Sequence, residues 1–155
     1  MNHRPSKQVL LIVDTDQENI DVLRTMLADD FNIEVCHSGV DAIRIASSHE
    51  PPGLILLNIL SESVDAYEVC KTLKGDRTTR DIPIILLTEP TTEDTEAKGF
   101  ELGAADYITK PFKRSVVRAR IRTHLELKRY RDQLEKRVKK KGERAARGNS
   151  GSPGC

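Results

Sequence analysis

Val9-Leu10-Leu11-Ile12-Val13 runs straight into Asp14-Thr15-Asp16. Five consecutive apolar residues rich in β-branched side chains predict a short strand covered on both faces, as in a parallel sheet. The polar triplet marks where that strand ends. The same pattern recurs along the chain. Ile33-Glu34-Val35-Cys36 alternates like a strand nearer an edge, and Pro51-Pro52-Gly53 opens a third strand through Leu57 that stops at Asn58. Pro83 opens Ile84-Ile85-Leu86-Leu87, which stops at Thr88-Glu89, and a fifth strand spans Ala105 to Ile108. Lys110 follows it.

Amphipathic segments fill the intervals. Ile20, Leu23 and Leu27 mark one helical face, with Asp16 or Asp14 as its cap. Ser38 precedes a helix carrying Val40, Ile43 and Ala46. Further helices lie around Tyr67, Cys70 and Leu73, ending near Gly75, and along Ala97, Phe100 and Leu102, stopped by Gly103. A last helix begins after Pro111. Five rounds of strand then helix predict an α/β fold with a doubly wound, five-stranded parallel sheet. Working groups in such sheets gather beyond the C-terminal strand ends. Asp14, Thr15, Asp16, Asn58, Thr88 and Lys110 therefore form the candidate site. The competing reading is that they are ordinary caps and turn residues.

Composition narrows the class. The chain has 155 residues, 37% hydrophobic with 4% aromatic, which suits one aliphatic-cored domain plus an appendage. The three cysteines, Cys36, Cys70 and Cys155, show no metal-ligand spacing and point to reduced thiols in a cytoplasmic setting. No apolar run approaches membrane-spanning length, and Met1-Asn2-His3-Arg4-Pro5 lacks a signal-peptide core. Net charge is +1, but residues 1–109 hold 9 Lys/Arg against 20 Asp/Glu, a balance of −11. Residues 110–155 hold 16 against 4, a balance of +12. An acidic body with a basic helical appendage is expected.

The division predicted is an arm over residues 1–7, a domain over 8–127, a helical extension over 128–141 and a disordered tail over 142–155. Val117, Ile121, His124 and Leu125 should pack the last helix on the sheet. Leu127, Arg131, Leu134 and Val138 then recur at steps of four and three, a short coiled-coil seam. The seam suggests a homodimer or a docking site. No reader motif accompanies the basic run, so nucleic acid binding is not expected.

Several stretches together resemble the receiver domain of bacterial two-component response regulators. They are Val13-Asp14, Asp65-Ala66-Tyr67-Glu68-Val69-Cys70, Thr88, and Gly99-Phe100-Glu101-Leu102-Gly103-Ala104-Ala105-Asp106-Tyr107 with Ile108-Thr109-Lys110-Pro111-Phe112. The resemblance covers about Gln8 to Leu127. It implies a flavodoxin-like (βα)5 fold, an aspartate phosphorylated at the end of the third strand, and acidic residues after the first strand that help hold Mg²⁺. It further implies a Thr and a Lys that contact the phosphoryl group, matched by Thr88 and Lys110, and a state-dependent aromatic, matched by Tyr107. The chain departs from the pattern at the chemistry. Asn58 occupies the phosphoacceptor position, and Thr15 replaces an acidic residue expected to ligate the metal. Glu62, Ala66 and Glu89 also depart, a spread that points to natural drift and not to one engineered change.

An amide is no carboxylate nucleophile, and losing two carboxylates weakens a Mg²⁺ site. The expectation is a non-enzymatic pseudo-receiver acting through protein contacts with a histidine kinase or an output module. It has no required cofactor, weak or absent Mg²⁺ binding with Asp14 the best ligand candidate, and no membrane partner. The competing functions are an active phospho-receiver of a histidine kinase phosphorelay, and a nucleic-acid-binding adaptor using the basic helix. Ser61 and Ser63 are read as loop hydroxyls. Lys110 should pair with Asp14 or with Glu89.

Overall fold

In the computed structural model, which describes residues 7–59, 65–90 and 93–150 (without the side chains of 93–96 and 139–150), strands and helices alternate. They are β1 (Val9–Val13), α1 (Gln17–Leu27), β2 (Asn32–Cys36), α2 (Gly39–Ala46), β3 (Leu54–Asn58), α3 (Ala66–Gly75), β4 (Ile84–Thr88), α4 (Glu93–Glu101), β5 (Asp106–Thr109) and α5 (Arg114–Ser150). All strand pairings are parallel, in the order β2-β1-β3-β4-β5. This is the five-stranded, doubly wound, flavodoxin-like sheet expected, with a long C-terminal helix.

The period of two along each strand splits the core into two layers. Leu11, Val13, Ile55, Leu57 and Ile84 meet Ala42, Ala46, Val69 and Leu73 of α2 and α3 on one face. Leu10, Ile12, Leu54, Leu56, Ile85 and Ile108 meet Ile20, Leu23 and Leu27 of α1 with Val117 and Ile121 of α5 on the other. Burying each such aliphatic side chain contributes about 1.5–3 kcal/mol, which is why these runs carry no polar residue until they end.

Side-chain caps start three of the helices, Asp16 and Ser38 where the sequence analysis places them and Asp65 in addition. Asp16 accepts from Glu18 N at 2.9 Å, Ser38 from Asp41 N at 3.1 Å, and Asp65 from Glu68 N at 3.1 Å. Each satisfies an orphan donor of a first helical turn.

Some helix faces differ from expectation. Val40 is exposed, and α2 packs through the expected Ala46 together with Ala42, with Ile43 half-buried. In α4 both Ala97 and Phe100 face outward while Gly99 is buried. A Cβ on Gly99 would stand 2.6 Å from Leu86 Cδ1, so the helix approaches β4 on its smallest residue, where no apolar signal exists. The fifth strand lies one residue later than predicted, at Asp106–Thr109. The last helix runs on to Ser150, so residues 142–150, predicted as disordered, are helical. Each of the two glycines in this stretch, Gly142 and Gly148, costs a helix only about 1 kcal/mol, and Glu143-Arg144-Ala145-Ala146-Arg147 between them favours continuation. Residues 1–6 and 151–155, Ser61, Glu62 and Ser63 lie outside the described residues. Among the described residues, no helix is long and apolar enough to cross a membrane.

α5 is tied down by charge as well as packing. Arg118 meets Asp30 at 2.7 Å, and Asp106 meets Arg120 at 2.8 Å and His124 at 3.0 Å. Burial pushes the Asp106 carboxyl up, but hydrogen bonds from His124, the Tyr107 N–H and Arg120 outweigh it and leave the pKa below the usual carboxylate range.

Candidate functional site

The sheet order reverses direction between β1 and β3, which opens a crevice at their C-terminal ends. Val13 stands opposite Leu57, so Asp14 and Asn58 come next, side by side. Asp14 is fully buried and Asn58 nearly so. The Asn58 Nδ2 donates to Asp14 Oδ2 at 2.9 Å. Asn19 Nδ2, from the first turn of α1, donates to the same oxygen at 3.3 Å, and the Asp16 N–H donates to Asp14 Oδ1 at 2.9 Å. His37 donates from Nδ1 to the Asp14 carbonyl at 2.9 Å. A buried acid needs such donors, because leaving it unpaired costs several kcal/mol. These contacts also orient the Asn58 amide, since its oxygen turned toward Asp14 would set two acceptors against each other.

The strands on the other side bring a second group together. Thr88 is buried at the end of β4 and donates its hydroxyl to the Glu89 carbonyl at 2.9 Å. The Lys110 N–H extends the β4–β5 ladder to the Thr88 carbonyl at 2.9 Å, and the Lys110–Pro111 peptide bond is cis. Lys110 Nζ lies 3.3 Å from Glu89 Oε1, so of the two predicted partners Glu89 is the one met. Tyr107 is half-buried in β5, with its ring edge-on to Phe100 of α4 at a centroid separation of 5.7 Å.

Asp16, predicted in the acidic pocket, is exposed and spends its carboxylate capping α1, and Thr15 is exposed beside it. Asn19 and His37 complete the shell around Asp14 and were not singled out from the sequence. Asn19 is the one polar residue on the buried face of α1, beside Ile20 and Leu23, and that position is the signal that could have found it. His37, a lone histidine past a strand end, gives no signal of its own.

A family model of the response regulator receiver domain matches residues 10–122. The chain belongs to that family. It is 37% identical over 129 residues to a protein of Vibrio cholerae named a probable cyclic di-GMP phosphodiesterase, covering 83% of this chain and 29% of that one. The signal receiver domain of a signal transduction histidine kinase from Syntrophus aciditrophicus shares 32% identity at a TM-score of 0.69, with 77% of this chain and 90% of that one covered. The receiver domain of a sensor histidine kinase from Pseudomonas aeruginosa PAO1, 24% identical at a TM-score of 0.71 with 78% and 99% covered, has the same fold. That domain is described with magnesium coordinated in its active-site cleft. The chain spans about half or less of the length of the curated relatives it matches.

The family's Mg²⁺ can be tested against the donors in this crevice. Hard divalent cations take several oxygens, carboxylates foremost. Here one buried carboxylate is present, and its Oδ2 already faces two amide N–H groups. Among the described residues no group of three His, Cys, Asp or Glu is disposed to hold a metal. This donor set does not fit a divalent cation.

Proposed function

We propose that this receiver works without phosphorylation, as a signalling module that acts through protein contacts. The observation that carries the reading is the 2.9 Å hydrogen bond from Asn58 Nδ2 to Asp14 Oδ2. Phosphoryl transfer to a receiver needs an anionic oxygen nucleophile and a cation to offset charge in the transition state. Asn58 supplies neither the anion nor a ligand charge, and its amide N–H already engages the Asp14 carboxylate. Phosphoacceptor chemistry and metal binding fail together.

The Lys110–Glu89 pair supports the same reading. A carboxylate one residue past Thr88 gives Lys110 an internal anion to face, with no phosphoryl group required. The state of Tyr107, packed on Phe100, is then set by the fold and by whatever binds this face. Partners of the family's kind, a histidine kinase or an output module, would read that fixed surface. Cys36 and Cys70 are free and buried, and burial pushes the Cys70 thiol up to about 11, consistent with inert thiols in a cytoplasmic protein. Amide resonances of Thr88, Tyr107 and Lys110, followed by nuclear magnetic resonance, should stay in place when a small phosphodonor and Mg²⁺ are added. Movement of all three would show a working switch.

A further inference from the structure

The anchoring of α5 to the body thins out along its length. Val117 and Ile121 are fully buried, Leu125 is half-buried, and among the described residues the last ion pair to the body is Arg131 to Asp81 at 3.9 Å. Over the same stretch the helix carries four large apolar side chains in the open. Leu127 is 51% exposed, Tyr130 54%, Leu134 58% and Val138 70%. Steps of three and four put them on one side of the helix as a narrow stripe. The same spacing sets Arg131 along one flank and Arg137 along the other, both exposed. Residues 128–147 hold 10 Lys/Arg against 3 Asp/Glu, a net charge of +7.

We propose that the Leu127–Tyr130–Leu134–Val138 stripe docks an acidic amphipathic helix of a different protein, which sets Glu or Asp against Arg131 and Arg137. The inference deepens the protein-contact reading above by naming the partner's chemistry. Charge complementarity selects this occupant. A second copy would bring two helices of +7 side by side, and like charges flanking a seam oppose pairing. A nucleic acid has no use for an aliphatic stripe, since its affinity comes from phosphate contacts that cations alone supply. An acidic helix satisfies both features at once, because its apolar face covers the stripe while its carboxylates meet the arginines.

The test uses the full chain and a synthetic peptide of about four Leu/Glu heptads. A control peptide has the same composition with the leucine positions shuffled. Titration calorimetry at physiological salt should show the heptad peptide binding at least about tenfold more tightly than the shuffled one, a difference of about 1.4 kcal/mol. Leu134→Ser and Val138→Ser should each weaken it several-fold without moving the melting temperature of the domain. Equal affinity for both peptides would overturn the proposal, since charge alone would then be at work. So would tighter binding of duplex DNA or of phosphatidylglycerol vesicles than of the heptad peptide. A stable dimer of the chain alone, dissolved by Leu134→Ser, would overturn it in favour of a second copy. None of these outcomes bears on whether Asn58 accepts phosphate.

Discussion

The side-chain amide of Asn58 donates to the carboxylate of Asp14 across 2.9 Å, and both residues are buried at the end of neighbouring strands. The crevice where two like charges would need a cation between them is held together instead by a neutral donor.

Replacing that donor with an acid should be costly. Asn58→Asp sets two carboxylates at hydrogen-bond distance in a buried site, with a penalty of about 2–4 kcal/mol at neutral pH. For a chain of this size that lowers the melting temperature by roughly 5–15 °C. One carboxyl of such a pair takes up a proton as pH falls, so the gap from the parent should narrow in acid. Thermal melts at neutral and acidic pH check this. A variant as stable as the parent at neutral pH would mean that Asp14 and Asn58 are not coupled. Phosphorylation of this single variant should remain poor, because Thr15 still withholds a metal ligand.

Mg²⁺ should leave the parent chain unmoved. A ligand that binds only the folded state raises stability by mass action. Millimolar Mg²⁺ is therefore expected to shift the melting temperature no more than an equal ionic strength of sodium chloride does. A specific upward shift, lost in Asp14→Ala, would show that the amides yield to a cation.

The Asp106 cluster carries a pH signature of its own. Its carboxyl is held below the usual range, so its contribution is present above the ordinary carboxylate value of about 4 and fades as pH falls through the lowered folded-state value. Asp106→Asn, which weakens contacts to Arg120 and His124, should cost about 1–2 kcal/mol at neutral pH. Parent and variant should converge in strong acid. A constant difference across that range would assign the loss to packing.

By contrast, the Lys110–Glu89 pair should matter little for stability. Glu89 is half exposed and the separation is 3.3 Å, a geometry worth at most about 1 kcal/mol. A double-mutant cycle on Lys110→Met and Glu89→Gln should give a coupling energy below that value. A larger one would mean that the pair is screened from solvent in solution.

Much of this was readable in the chain. β1, β3 and β4 are apolar runs that end in polar residues, and β2 alternates, so the existence of these strands was legible from pattern alone. Helix faces were less legible where close approach depends on what is missing: Gly99 packs on Leu86 because it has no side chain, while the conspicuous Phe100 turns outward to Tyr107. The choice of Glu89 over Asp14 by Lys110 was also hidden. Both acids sit at strand ends, and only the register of β4 on β5 and the amide shell around Asp14 decide between them. The far end of α5 was hidden as well, because the Gly- and Ser-rich composition from Gly148 onward reads as linker while the helix runs on to Ser150.

Intact-mass spectrometry after incubation with a small phosphodonor and Mg²⁺ puts the reading of Asn58 to its sharpest test. No phosphoryl adduct should form on a chain whose acceptor position is an amide bonded to Asp14. Gain of one phosphoryl group, mapped by peptide sequencing to residues 58–63, would contradict it.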